Sequence, residues 1–341
     1  FLRLDRQYIL DLAKEILQIP SPSGYSLEII PRIMEEAKKY DLTFEKTKKG
    51  NLIIHYPGAS DYKVGLSVHV DTLGAMVRSI TAAGDLKFTA IGGPSWPTLD
   101  GEYCTIKTRE GKSYTGTILS TSPAVHVFKD AGTKVRNPEN MYVRVDEVVK
   151  SKEDVQKLGI EVGNFIFIDP KTTITDSGFV KSRFLDDKIN VASIFGLIKY
   201  LKENNITPRY TINFIISTYE EVGHGASFIP ELDEMIAVDM GCIGDDLTCT
   251  EFDVSICAKD SSGPYDYNLT NELVKIAKEE KLNHAVDIYP YYGSDVSASL
   301  RGGNDIRGAL CGPGVHASHG MERTHIDGIE ATIKLLLNYL K

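Results

Sequence analysis

Long apolar runs, paired cysteines and excess positive charge are all missing from this 341-residue chain. No apolar stretch approaches the ~18–20 residues that span a bilayer, and the first residues carry no signal-peptide pattern. The expectation is a cytoplasmic protein with no membrane partner. Its five cysteines (Cys104, Cys242, Cys249, Cys257 and Cys311) are odd in number and form no C-x-x-C pair. Reduced thiols fit that pattern better than a disulfide framework. Acidic residues outnumber basic ones, 47 to 38, for a net charge of −9, which argues against a nucleic-acid partner. The sequons at Asn205 and Asn268 read as chance matches in the absence of a secretion signal. No internal repeat or low-complexity tract is present. With 42% hydrophobic and 25% charged residues, the composition is that of an ordinary globular protein.

What is there changes texture twice along the chain. The opening "LDRQYILDLAKEILQIPSPSG" has helical spacing and breaks at Pro20, Pro22 and Gly24. A second helix is expected over about 25–39, then short strands in "TFEKT" and "NLIIHY" and a continuous apolar strand in "KVGLSVHV". Continuous runs of that length suit strands covered on both faces. Over 73–168, short β-prone pieces alternate with Gly and Pro turns, as expected of a small barrel or sandwich, and helical periodicity is weak outside about 152–158. The α/β texture then returns: a helix near 187–203, strands in "YTINFIIST" and "MIAVDMG", and helices near 266–281 and from 327. The economical organisation is one α/β domain (1–72 with 169–341) carrying an inserted β domain (73–168), so the two α/β portions must meet.

Open α/β sheets bind ligands beyond the carboxyl ends of their strands. In this chain those ends carry His69 and Asp71, then Glu220 and Glu221, then Asp239. The turn into the post-insertion helix adds Asp186 and Asp187, and "CGPGVHASHGMERTH" offers His316, His319 and His325. Singly, each has a plainer explanation. His-x-Asp is often a capping pair, Asp-Asp before a helix is usually an N-cap, and Glu-Glu is usually solvated. His224 reads as a turn residue, and Gly223-His224-Gly225 fails as a dinucleotide fingerprint because Phe228 replaces its third glycine. Together, two histidines and three carboxylates with no thiolate suit two divalent ions such as Zn²⁺, Co²⁺ or Mn²⁺. Adjacent glutamates disfavour each other's ionisation. The pair makes sense if one binds metal and its neighbour takes a proton from the attacking water.

The ordered motifs "LSVHVDTLGAMV", "SRFLDDKIN", "STYEEVGHGAS", "IAVDMG" and "GPGVHASHGMERTH" resemble those of the tetrahedral-aminopeptidase and glutamyl-aminopeptidase family of co-catalytic metallopeptidases. Nearly the whole chain is covered, and the insert, through "KFTAIGG" and "VQKLGIEVGNFIFIDP", resembles that family's dimerisation domain. The resemblance implies a zinc-peptidase-like fold: a mixed, largely parallel sheet with helices on both faces and an inserted small β-barrel-like domain. It implies His69 and Asp239 on one ion, Glu221 and His319 on the other, and Asp186 bridging them. Glu220 would be the base, Asp71 would orient His69, and the Asp186–Asp187 peptide would be cis. Two departures stand out: Asn190 replaces a small glycine after the Asp pair, and His316 competes with His319 as the last ligand. The implied activity is removal of N-terminal residues from peptides by a homo-oligomer, a dimer or a tetrahedral dodecamer. Its rivals are a carboxypeptidase or N-deacylase on the same scaffold and a non-catalytic peptide-binding protein.

Overall fold

The computed structural model describes residues 3–341. They form two compact units, the residues up to Asp71 with Lys171–Lys341, and Thr72–Pro170. No helix among the described residues is long and apolar enough to cross a membrane.

The first unit is built on a ten-stranded mixed sheet. Four parallel strands make its centre, in the order Thr211–Ser217, Lys63–His69, Glu234–Val238 and Arg307–Val315. Antiparallel strands flank them: Leu52–Tyr56 and then Thr43–Lys46 on one side, Val254–Asp260 on the other. Side chains along each strand alternate between faces. Phe214, Ile216, Ile236, Val238 and Cys311 enter one core, which includes residues of the helices Arg6–Leu17, Leu185–Glu203 and Ile326–Leu340. Ile215, Met235, Ala237 and Leu310 enter a second core with Val296 of the helix Asp295–Arg301. Covering both faces is why these strands read as unbroken apolar runs.

Most expected elements appear within a few residues of their forecast ends. Among the elements that do not follow from the pattern are Val254–Asp260, His284–Ile288 and Asp295–Arg301. The strand Arg307–Val315 hides inside a segment that reads as a glycine-rich loop. Close approach of its neighbours is the reason for that composition. A Cβ at Gly312 would lie 1.7 Å from the Asp239 carbonyl oxygen, and one at Gly314 would lie 2.2 Å from that of Thr250. The helix Leu185–Glu203 begins irregularly: Phe184 has φ 70°, and Asp186 and Asp187 lie outside helical φ/ψ. The Asp186–Asp187 peptide is cis, as the family resemblance implies.

The second unit is a closed barrel of six strands. They run around it as Gly74–Ile80, Leu86–Ile91, Met141–Val145, Ser113–Ser120, Tyr103–Lys107 and Phe165–Ile168. Val77, Phe88, Ile106, Ile118, Val143 and Ile166 are fully buried in it. Closure leaves no exposed strand edge.

Gly312→Ala is expected to lower stability by at least about 1–3 kcal/mol, because the new methyl group meets backbone that cannot move aside cheaply. Urea denaturation monitored by circular dichroism checks this, and an unchanged midpoint would contradict it.

Candidate metal centre

Because the four central strands are parallel, their carboxyl ends open on one edge of the sheet. His69 is the last residue of its strand, and Asp239 directly follows Glu234–Val238. His319 lies beyond Arg307–Val315 in a left-handed conformation, φ 63°. Glu220 and Glu221 do not continue their strand, which would send them to opposite faces. After Ser217 the chain enters a 3₁₀ turn, Glu220–Val222, closed by Gly223 at φ 91°. Asp71 holds that turn, accepting the backbone N–H of Glu220 and of Glu221 at 3.0 Å each, one on each carboxylate oxygen. Ser23 Oγ also donates to Asp71, at 2.5 Å.

The structure brings His69, Asp186, Glu220, Glu221, Asp239 and His319 together. His69 Nε2 lies 3.0 Å from Asp186 Oδ1, 3.1 Å from Glu220 Oε2, 3.5 Å from Asp239 Oδ2 and 3.9 Å from Glu221 Oε1. His319 Nε2 lies 3.1 Å from the other oxygen of Asp186 and 3.3 Å from Glu221 Oε2. The two oxygens of Asp186 thus face two different imidazoles. The other His69 nitrogen, Nδ1, lies 2.8 Å from Asp71's own carbonyl oxygen and 3.3 Å from its carboxylate.

Other residues surround this centre without joining it. His316 is exposed, and its backbone bridges Arg323. His325 caps the last helix and meets the Ser177 carbonyl oxygen at 2.7 Å. His224 is exposed beside Lys49. Asp187 is spent on protein donors, the His69 N–H at 3.1 Å and Asn190 Nδ2 at 2.6 Å. The Asn190 departure therefore provides a partner for a buried carboxylate. Sequence reasoning missed Glu322, whose two oxygens accept the Asp186 N–H at 3.1 Å and the His319 N–H at 2.9 Å. The only signal was its place three residues after His319, which is not a recognisable ligand spacing.

The electrostatics ask for a cation. Burial pushes Glu221 and Asp239 up to about 7 and Glu322 up to about 8. Glu220 rises well above the usual carboxylate range through burial, with Asp239 nearby adding to it. Burial opposes charge on the imidazoles, but the surrounding carboxylates outweigh it and raise both His69 and His319. Burial also opposes ionisation of Asp186, yet hydrogen bonds from His319 and His69 hold it well below the usual range. Glu221 Oε1 is buried with no hydrogen-bond partner among the described residues. An orphaned carboxylate oxygen amid oxygen and nitrogen donors fits divalent ions of the Zn²⁺, Co²⁺ or Mn²⁺ type. Ligand atoms of His69, Asp186 and Glu221, and of His69, Asp187 and Asp239, are close enough to share an ion. Of these, Asp187 already has its protein donors.

A cleft of about 550 Å³ opens over this centre, and Met240, Cys242, Tyr291, Tyr292 and Arg301 are among its walls. Because burial raises Glu221 and Asp239 to about 7, metal uptake near neutral pH is expected to release protons from these two carboxyls. Affinity is therefore expected to rise with pH between about 6 and 8. Titration calorimetry in two buffers of different ionisation enthalpy measures the release, and buffer-independent heats would contradict it.

A family model for M42 glutamyl aminopeptidases matches residues 50–335. The Bacillus subtilis (strain 168) protein YhfE, provisionally named an aminopeptidase, is 47% identical over 336 residues, 97% of either chain. The TET aminopeptidase of a marine-sediment Thaumarchaeota archaeon superposes with a TM-score of 0.89 at 19% identity, covering 98% of this chain and 96% of that one. The TET1 peptidase of Pyrococcus horikoshii, which can assemble into a tetrahedron or a large octahedral shell, superposes with a TM-score of 0.84 at 23% identity. It is covered over 99% of its length, against 97% of this chain. At such identities the two structures speak for the fold alone. The family match and the close relative carry the assignment further: the chain is a peptide hydrolase that belongs to the M42 glutamyl aminopeptidase family.

Proposed function

We propose that this aminopeptidase works with two divalent ions and that Glu220 is its general base. The observation that carries the reading is Asp186, whose two oxygens face His69 at 3.0 Å and His319 at 3.1 Å. A carboxylate shared in that way suits a bridge between two ions. His69 and Asp239 would hold one, and Glu221 and His319 the other. When bound, the ions would polarise the scissile carbonyl and acidify the attacking water.

Glu220 takes the proton from that water as its oxygen attacks the carbonyl carbon. It then gives the proton to the leaving amine nitrogen as the carbon–nitrogen bond breaks. Its side chain is the more exposed of the pair, 11% against 4% for Glu221, which supports a base reaching substrate and a ligand set behind it. Asp71 acts twice: it lies beside His69 Nδ1 and fixes the glutamate turn through two amides. The substrates would be peptides with a free N-terminus. The assembly of the Pyrococcus horikoshii relative supports a homo-oligomer here, with the barrel unit as its dimerisation element.

Glu220 Oε2 lies nearer to His69 Nε2 than Asp239 Oδ2 does, 3.1 Å against 3.5 Å, so base and ligand must be told apart by experiment. Glu220→Gln should keep the parent's metal content while kcat falls by at least ~10²–10⁴-fold with little change in KM. Glu221→Gln should bind metal more weakly. The reverse pattern, read by elemental analysis beside kinetics, would exchange the two roles.

His319→Ala is expected to weaken metal binding more than His316→Ala, since only His319 faces Asp186 and Glu221. Equal metal titrations for the two variants would refute His319 as a ligand.

A further inference from the structure

Two buried side chains strap the Glu220–Glu221 turn from outside the metal centre. Asp295, 2% exposed, accepts Ser217 Oγ at 2.6 Å and Ser67 Oγ at 3.1 Å on one oxygen, and the Ala226 N–H at 3.2 Å on the other. Asn51, also 2% exposed, accepts the Thr218 N–H at 3.0 Å and Thr218 Oγ1 at 2.9 Å. Its Nδ2 donates to the Gly225 carbonyl oxygen at 2.7 Å. Each strap joins the way into the turn to the way out, Asp295 linking residue 217 to 226 and Asn51 linking 218 to 225. Between the straps, Asp71 holds the two central amides.

The fit leaves no slack. A Cβ at Gly225 would lie 2.5 Å from Asp295 Oδ1 and 2.8 Å from both the Glu220 nitrogen and Ser217 Oγ. A buried carboxylate is also an expensive way to fill space. Well-packed apolar side chains of similar volume are often equal or better for stability, so packing alone does not account for Asp295. Its hydrogen bonds all go to the segments that bear His69 and the glutamate turn.

We infer that Asp295 and Asn51 are positioning residues for Glu220, fixing the turn so that its carboxylate meets the attacking water without themselves touching substrate or ions. The inference rests on Glu220 being the base. A misplacement of about 1 Å in a reacting group can cost on the order of 10²-fold in rate. Asp295→Ala should accordingly lower kcat by ~10–100-fold per folded, metal-loaded subunit, with KM within about threefold and metal content as in the parent. Asp295→Asn should recover most of that loss. Its amide oxygen can accept the Ala226 N–H while its NH₂ donates to the two serine hydroxyls, which rotate to accept. A role in stability alone would lower the yield or melting temperature but leave kcat of the folded enzyme unchanged.

Parent-like kcat in folded Asp295→Ala would overturn the inference, as would a loss of activity that only tracks lost metal. Should Asp295→Ala not fold, Asn51→Ala cuts the other strap and is judged by the same kcat, KM and metal measurements. Failure of the base reading shows separately, as a Glu220→Gln enzyme with parent-like kcat, whatever the Asp295 variant does.

Discussion

Like-charge crowding at one edge of a parallel sheet is the constraint on which the rest of this molecule turns. Asp186, Glu220, Glu221 and Asp239 converge around two imidazoles in a buried pocket, and one Glu221 oxygen is left there without a hydrogen-bond partner among the described residues. Burying several carboxylates together is costly unless positive charge is supplied. The parallel order of four strands delivers them to one place, and side chains there are close enough to share a metal ion, a cation that would make the arrangement favourable. The orphaned Glu221 oxygen is the clearest local sign of that unmet demand.

Holding such a cluster takes a second layer of polar side chains, each tied to backbone rather than to a possible ion. Glu322 fixes the amides of Asp186 and His319. Asp71 fixes those of both glutamates, and Asp187 takes the His69 amide with Asn190 beside it. Asn51 and Asp295 close the glutamate turn. Gly312 lets the Asp239 carbonyl approach where any side chain would collide. The geometry of the centre is thus set by groups that need never contact substrate.

Strand ends were the legible part of the sequence, because continuous apolar runs followed by His, Asp or Glu obey a simple rule. The glutamate pair, His69 and Asp239 could be found that way, and the barrel unit announced itself through short alternating strands. The strand Arg307–Val315 could not, since three of its nine residues are glycines demanded by tertiary contact, against every local β preference. Glu322, Asn51 and Asp295 were illegible for a different reason. Their partners are backbone amides and hydroxyls as far as 228 residues away, and no spacing in the chain encodes such a meeting. His316 and His319 sat in one short motif and could be separated only by the left-handed turn that aims His319 inward.

The most direct test is a crystal structure of the metal-reconstituted protein with anomalous data collected at the metal edge. Two peaks ~3.5–4 Å apart are expected, one beside His69 and Asp239, the other beside Glu221 and His319, with Asp186 between them. A single peak, or two peaks with Asp186 turned away from either, would contradict the two-ion centre.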